Sequence, residues 1–116
     1  MARSTREVFE DHLRCRAKGH LEEDLQHNYA DDVVLLCESG VLHGHQGVRL
    51  SAARLDQSLS AQEYEYLMKH LDGEYAFLRW RGESAVCRIE HGADSFVIRN
   101  GRIVMQSIYY QVQMKT

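Results

Sequence analysis

No uninterrupted apolar stretch approaches the roughly 20 residues of a membrane span, and no apolar run stands behind the arginines of Met1-Ala2-Arg3-Ser4-Thr5-Arg6. No membrane partner is expected, and the expected location is the cytoplasm. Positive charge is not in excess either. The 14 Lys and Arg stand interspersed with 17 Asp and Glu, for a net charge of −3. That balance leaves no electrostatic footprint for a polyanionic backbone, so nucleic acid is not an expected partner. Cysteine is sparse. Cys15, Cys37 and Cys87 are odd in number and widely spaced, without the close second cysteine of zinc or redox motifs, and they read as reduced, mostly buried thiols. His43-Gly44-His45 offers two metal ligands but no motif-related third, so no metal site is expected. A glycine-rich phosphate loop, a nucleophile elbow and a dinucleotide fingerprint are all absent, and no cofactor is expected.

What is present fits one domain spanning residues 1–116, since domains commonly run to roughly 100–150 residues. The apolar share of 44% and charged share of 27% are those of ordinary soluble proteins. No internal repeat, linker or low-complexity segment interrupts the chain.

Val8, Phe9, Leu13 and Ala17 recur at helical spacing behind Ser4 or Thr5 as N-caps, which predicts a helix over 4–18 with Gly19 as its stop. A second, short amphipathic stretch carries Leu21, Leu25 and Tyr29 inward and ends near Tyr29. Asp31-Asp32 reads as a turn before the β-branched run Val33-Val34-Leu35-Leu36-Cys37, a buried strand. Glu38-Ser39-Gly40 then turns the chain into a short returning strand, Val41-Leu42-His43-Gly44. Residues 46–59 return to helical periodicity through Val48, Ala52, Leu55 and Leu59. From Gln62 onward the alternation predicts strands over 62–71, 74–81, 84–91 continuing into 94–99, and 102–113. Asp72-Gly73, Arg81-Gly82 and Asn100-Gly101 are the turns between them. Three helices followed by an antiparallel meander make an α+β order in which the helices cover one sheet face. Gly92, inside the longest strand, predicts a β-bulge that bends the sheet around a conical cavity.

Several polar residues fall where that cavity must be. Asp94 is followed by Phe96 and Ile98 at period two, which puts a carboxylate in line with apolar neighbours, where its pKa should rise. Its structural alternative is a hydrogen bond to the bulge backbone or a pair with an arginine. His12 lies one turn after Phe9, on or beside the buried face of the first helix, as an acid/base candidate or a satisfied core histidine. Arg16, one turn further, either pairs with Asp94, meets an anionic ligand or stands solvated at the mouth. Trp80 shares a face with Ala76 and Leu78, as a pocket wall or a core residue. On the last strand Val104, Gln106, Ile108 and Tyr110 share one face and Ile103, Met105, Ser107 and Tyr109 the other. Both are apolar enough that one should line the pocket and the other meet a second copy of the chain.

This order resembles the nuclear transport factor 2-like superfamily and, more narrowly, its small bacterial SnoaL-like members. The resemblance rests on Gly19-His20-Leu21, on Tyr29-Ala30-Asp31-Asp32-Val33-Val34-Leu35, on Gly40-Val41-Leu42-His43-Gly44, and on the stretch 92–104 from Gly92-Ala93-Asp94 to Arg102-Ile103-Val104. It implies a cone-shaped α+β (cystatin-like) fold, with three N-terminal helices on a strongly curved, mostly antiparallel sheet around one pocket. Members include ketosteroid isomerases, polyketide cyclases, dehydratases, epoxide hydrolases and non-catalytic carriers, so the fold does not give the function. The resemblance places Asp94 where isomerase- and cyclase-like members carry an acid, and His12 where an isomerase-like member carries a tyrosine donor. It puts Gln106 and Tyr110 in the pocket and leaves Met105 and Tyr109 toward a dimer partner. Cys37 stands where the isomerase base would be, which disfavours steroid-type isomerisation. Arg88 with Glu90 only partly echoes an epoxide hydrolase set. The expected site is therefore Asp94 and His12 as the reacting pair, with Arg16, Trp80, Phe96, Gln106, Ile108 and Tyr110 around a small, largely apolar organic ligand. The expected assembly is a homodimer through the convex sheet face. Any activity is expected to be isomerase-, cyclase- or dehydratase-like, the alternative being a carrier without catalysis.

Overall fold

A computed structural model describes residues 2–59 and 63–115. Helix α1 (Thr5–Lys18) starts at a capping box, in which Ser4 accepts from the Glu7 N–H and Glu7 accepts from the Ser4 N–H. It ends at Gly19 in the left-handed conformation, whose N–H returns to Arg16. Val8, Phe9, His12, Leu13 and Cys15 form its buried face, whereas Ala17, expected inside, is exposed. Helix α2 (Leu21–Asn28) runs straight into strand β1 (Tyr29–Cys37). The guanidiniums of Arg3 and Arg102 cap its last carbonyls, those of His27 and Gln26. Asp31-Asp32 is not a turn: the pair lies within β1, exposed, at a register shift between Tyr29 and Val34. Strand β2 (Gly40–His43) completes the expected hairpin, and helix α3 (Gly44–Asp56) follows at once, two residues earlier than its apolar spacing predicts.

Strands β3 (Tyr64–Asp72), β4 (Tyr75–Glu83), β5 (Cys87–Arg99) and β6 (Arg102–Tyr109) form the antiparallel meander. The expected start of β3 at Gln62 lies outside the described residues. The sheet order is β2-β1-β6-β5-β4-β3, and the short β7 (Gln113–Met114) pairs the start of β5. The β1–β6 pair is parallel, so the sheet is mixed. Arg81-Gly82 is no turn. Gly82 sits buried in β4 under Leu59, and the chain reverses instead around residues 84–86, after β4. Asn100 and Gly101, with φ of 53° and 76°, make the two-residue hairpin turn between β5 and β6.

Of the bulges in the sheet, two shape the strands that carry the site. Glu90 and His91 face the single residue Arg81 between the pairs Trp80–Gly92 and Gly82–Ile89, beside the glycine expected to mark a bend. Gly92 itself serves a close approach: a β-carbon there would lie 2.2 Å from Cε2 of Trp80, whose indole covers the glycine. The second bulge sits at Val104, between the pairs Val97–Met105 and Ile98–Ile103. It reverses the face assignment made by strict alternation, so Ile103 is buried on the same side as Gln106 while Val104 and Met105 are half-exposed. The core lies between the helices and the inner sheet face, with Phe9 of α1 edge-on to Phe96 of β5 at 5.4 Å.

Candidate functional site

The helices close over the curved sheet around a cavity. Its polar wall is formed by His12 and Arg16 of α1, Asp24 of α2, Tyr29 of β1, Asp94 of β5 and Gln106 of β6. Its apolar wall includes Leu13, Leu35, Val48, Leu55, Leu78 and Ile108, with Trp80 behind Asp94 and Tyr64 and Tyr66 on β3. The cavity volume among these side chains is about 60 Å³.

Asp94 is 6% exposed. The Trp80 indole donates to its Oδ1 at 2.9 Å and the Gln106 amide to its Oδ2 at 2.9 Å. Burial pushes its carboxyl up from 3.8 to about 6, and the two donors, which favour the ionised form, limit the rise. Neither structural alternative for Asp94 is realised: it does not bond the bulge backbone and forms no ion pair with Arg16 among the described residues. The Tyr29 hydroxyl donates to Gln106 Oε1, so Tyr29, Gln106, Asp94 and Trp80 form one relay. Burial holds the Tyr29 phenol well above its ordinary pKa, and it stays a neutral donor.

His12 has a partner that the sequence did not announce. Its Nδ1 lies 2.8 Å from Asp24 Oδ2, both side chains almost fully buried. A carboxylate only accepts, so Nδ1 carries a hydrogen and Nε2 is left for the cavity. Asn28 fixes Asp24 in turn, its amide donating to Asp24 Oδ1 and to Asp11 Oδ2, each at 2.9 Å. Asp24 and Asn28 fall on the same helical stripe as Leu21 and Leu25, and that was the available signal. The Phe96 and Tyr29 rings hold the imidazole edge-on at 5.3 and 5.7 Å.

Arg16 reaches the cavity with 17% of its side chain exposed. Its closest carboxylate oxygen is 3.9 Å away on Asp56, and its guanidinium lies over the Tyr64 ring at 5.8 Å. Burial opposes its charge, but the Tyr64 and Tyr29 hydroxyls and the Asp56 and Asp24 carboxylates outweigh burial and keep it cationic.

Of the residues expected at the ligand, Arg16, Trp80, Gln106 and Ile108 line the cavity. Phe96 does not, because it lies in the core behind His12. Tyr110 lines an adjoining groove and packs against Trp80 at 5.8 Å. Cys37 also faces that groove, its thiol 3.4 Å from the Gly40 carbonyl, and Leu35 is the β1 residue in the cavity. Asp24, Tyr64 and Tyr66 are lining residues that the sequence reading did not name, and Tyr29, read there as facing inward, also lines the cavity. Burial raises the Tyr66 phenol to about 12, and its hydroxyl donates to the Leu13 carbonyl at 3.2 Å.

No family model and no curated protein matches the chain. Solved structures do match. A nuclear transport factor 2-like protein of unknown function from Burkholderia xenovorans LB400 is 16% identical, covering 97% of this chain and 86% of its own at a TM-score of 0.75. A Kribbella flavida protein provisionally named a ketosteroid isomerase is 14% identical over 97% and 81%, at 0.73. A Sinorhizobium meliloti protein provisionally named a polyketide cyclase is 20% identical over 88% and 93%, at 0.71. At these identities the likeness is one of fold. The chain has the nuclear transport factor 2-like fold of SnoaL-like proteins, three helices on a curved, unclosed mixed sheet.

Proposed function

We propose that the cavity is an acid/base site for a small, largely apolar organic carbonyl compound, with isomerase-, cyclase- or dehydratase-type proton transfer that needs no cofactor. One observation carries this reading. A buried carboxyl titrating near 6, that of Asp94, shares a cavity with an imidazole whose Nδ1 is held by Asp24. A carboxylate with its pKa raised toward neutrality is a competent base and still ionised at pH 7. Asp94 removes a proton from the carbon beside the carbonyl, and the C–H electron pair passes to the carbonyl oxygen. His12, its ring held at Nδ1 by Asp24, acts in its doubly protonated form and gives that oxygen a proton from Nε2. Asp94, its proton now exchanged with solvent, returns one to carbon while Nε2 of His12 takes back the proton on oxygen and the O–H electron pair restores the carbonyl. Cys37 is not required as a base, since Asp94 takes that part. The small free volume favours a slender substrate over a steroid.

The test is deuterium incorporation beside the carbonyl of a small ketone such as cyclopentanone in D2O, followed by NMR. Wild type should exchange it faster than buffer and Asp94→Asn should not; equal rates in both overturn the reading. A second reading, a carrier without catalysis, is favoured by one specific observation: both Asp94 oxygens already have donors within the chain. It predicts ligand binding without exchange.

Two further proposals attach to this one. The outer sheet face carries Val34, Tyr75, Phe77, Val97 and Met105, adjacent through the strand register. We propose that a second copy of the chain covers it. The three cysteines are free, which fits a reducing compartment such as the cytoplasm. No helix among the described residues is long and apolar enough to cross a membrane.

A further inference from the structure

A groove of about 340 Å³ adjoins the cavity, between the β1–β2 turn, α3 and the end of β6. Ser51 and Ile108 line both spaces and form the threshold between them. The groove is ligand-sized, whereas the cavity alone is not. Its wall is charged and hydroxylic rather than apolar. Arg54 reaches into it from α3, donates to Ser39 Oγ at 2.9 Å, and makes no ion pair with any carboxylate among the described residues. Tyr110 stands across from the threshold and packs on Trp80, whose indole holds Asp94. A molecule lying over Ser51 and Ile108 therefore has one end at Asp94 and the other at an uncompensated guanidinium.

We propose that the groove around Arg54 binds a carboxylate carried by the ligand, so that the substrate is a small aliphatic acid whose other, carbonyl-bearing end enters the cavity. Guanidinium and carboxylate match in charge and in paired hydrogen-bond geometry. Glu38 lines the same groove, and its exposed carboxylate opposes the anion. The acid is thus held by the directional hydrogen bonds of Arg54 against the opposing charge of Glu38, and Ser51 and Tyr110 add hydroxyl groups on the path. This assignment rests on the cavity being the reacting site, but binding and proton transfer are measured separately.

Trp80 is the single tryptophan and lines the cavity, so its fluorescence reports occupancy. Hexanoate and hexanamide, alike in shape and different in charge, are titrated into the wild type, Arg54→Gln, Arg16→Gln and Glu38→Gln. Hexanoate should bind wild type about tenfold more tightly than hexanamide. Arg54→Gln should erase that preference and leave hexanamide unchanged, and Glu38→Gln should tighten hexanoate. Equal binding of the two probes to wild type overturns the proposal, as does binding of neither. A preference that survives Arg54→Gln, or one lost only in Arg16→Gln, places the anion elsewhere and also overturns it. An acid preference that depends on Arg54 in a protein without deuterium exchange upholds the groove and sinks the proton-transfer reading alone.

Discussion

Replacing Asp94 by Asn should change how stability depends on pH. Burial raises the native carboxyl from 3.8 to about 6, so the folded chain holds this proton more firmly than the unfolded chain does. The stabilisation is fully present below pH 3.8, where both states are protonated, and is lost as pH rises through 6, where the folded state must ionise a buried group. The whole effect is about 3 kcal/mol, of which about 2 falls between pH 4.5 and 7.5. Asn cannot ionise and lacks this term. Every other titrating group is common to both proteins and cancels in the difference. The Asn amide loses one hydrogen bond from Trp80 or Gln106, a cost that lowers stability by about 1–3 kcal/mol at all pH values. Urea unfolding followed by far-UV circular dichroism at pH 4.5, 5.5, 6.5 and 7.5 measures the difference directly. The variant should gain about 2 kcal/mol on wild type across that range. Two stability curves that stay parallel would refute the raised carboxyl and, with it, the poise of the proposed base.

Gly92→Ala should displace the Trp80 indole, which the new β-carbon would meet at 2.2 Å. A loss of about 1–3 kcal/mol with a shifted Trp80 emission is expected, and an unchanged emission would contradict the packing. Ser4→Ala removes the capping box of α1 and should cost about 1 kcal/mol in urea unfolding. Asp24→Asn leaves His12 Nδ1 and the Asn28 amide competing for one acceptor. Deuterium exchange should fall by about tenfold or more, and undiminished exchange would remove Asp24 as a positioning residue. Light scattering at micromolar concentration should find a dimer for wild type and a monomer for Val97→Lys. A monomeric wild type removes the partner proposed for the outer face.

The elements were legible where local chemistry and packing agree. Ser4 and Glu7 mark the start of α1, Asn100-Gly101 marks a hairpin, and the stripe of Val48, Ala52 and Leu55 marks the inner side of α3. Reading failed where pairing overrode a local signal. Asp31 and Asp32 look like a turn, but the chain continues through them as part of β1, at the register shift between Tyr29 and Val34, and both residues are exposed. Gly82 looks like a turn because glycine punctuates loops, yet here it makes room for Leu59. The bulge at Val104 shifts Ile103 to the inner side, and period-two reading has no means of sensing an extra residue. The site divides in the same way. Asp94 and Arg16 follow from their strand or helix face and Gln106 from the family resemblance, whereas Asp24 stands in an acidic first turn, Glu22-Glu23-Asp24, where such residues ordinarily complement the helix dipole. The stripe it shares with Leu21, Leu25 and Asn28 was the signal that it turns inward, and the packing of α1 on α2 gives it His12 as partner.

The central claim is that Asp94 is a buried carboxyl poised near neutrality beside an oriented imidazole. A ¹³C NMR titration of the Asp94 side-chain carboxyl, with aspartate labelled and Asp94→Asn used to assign the signal, tests it most directly. The account predicts a midpoint near pH 6. A midpoint at or below the ordinary 3.8 would contradict it.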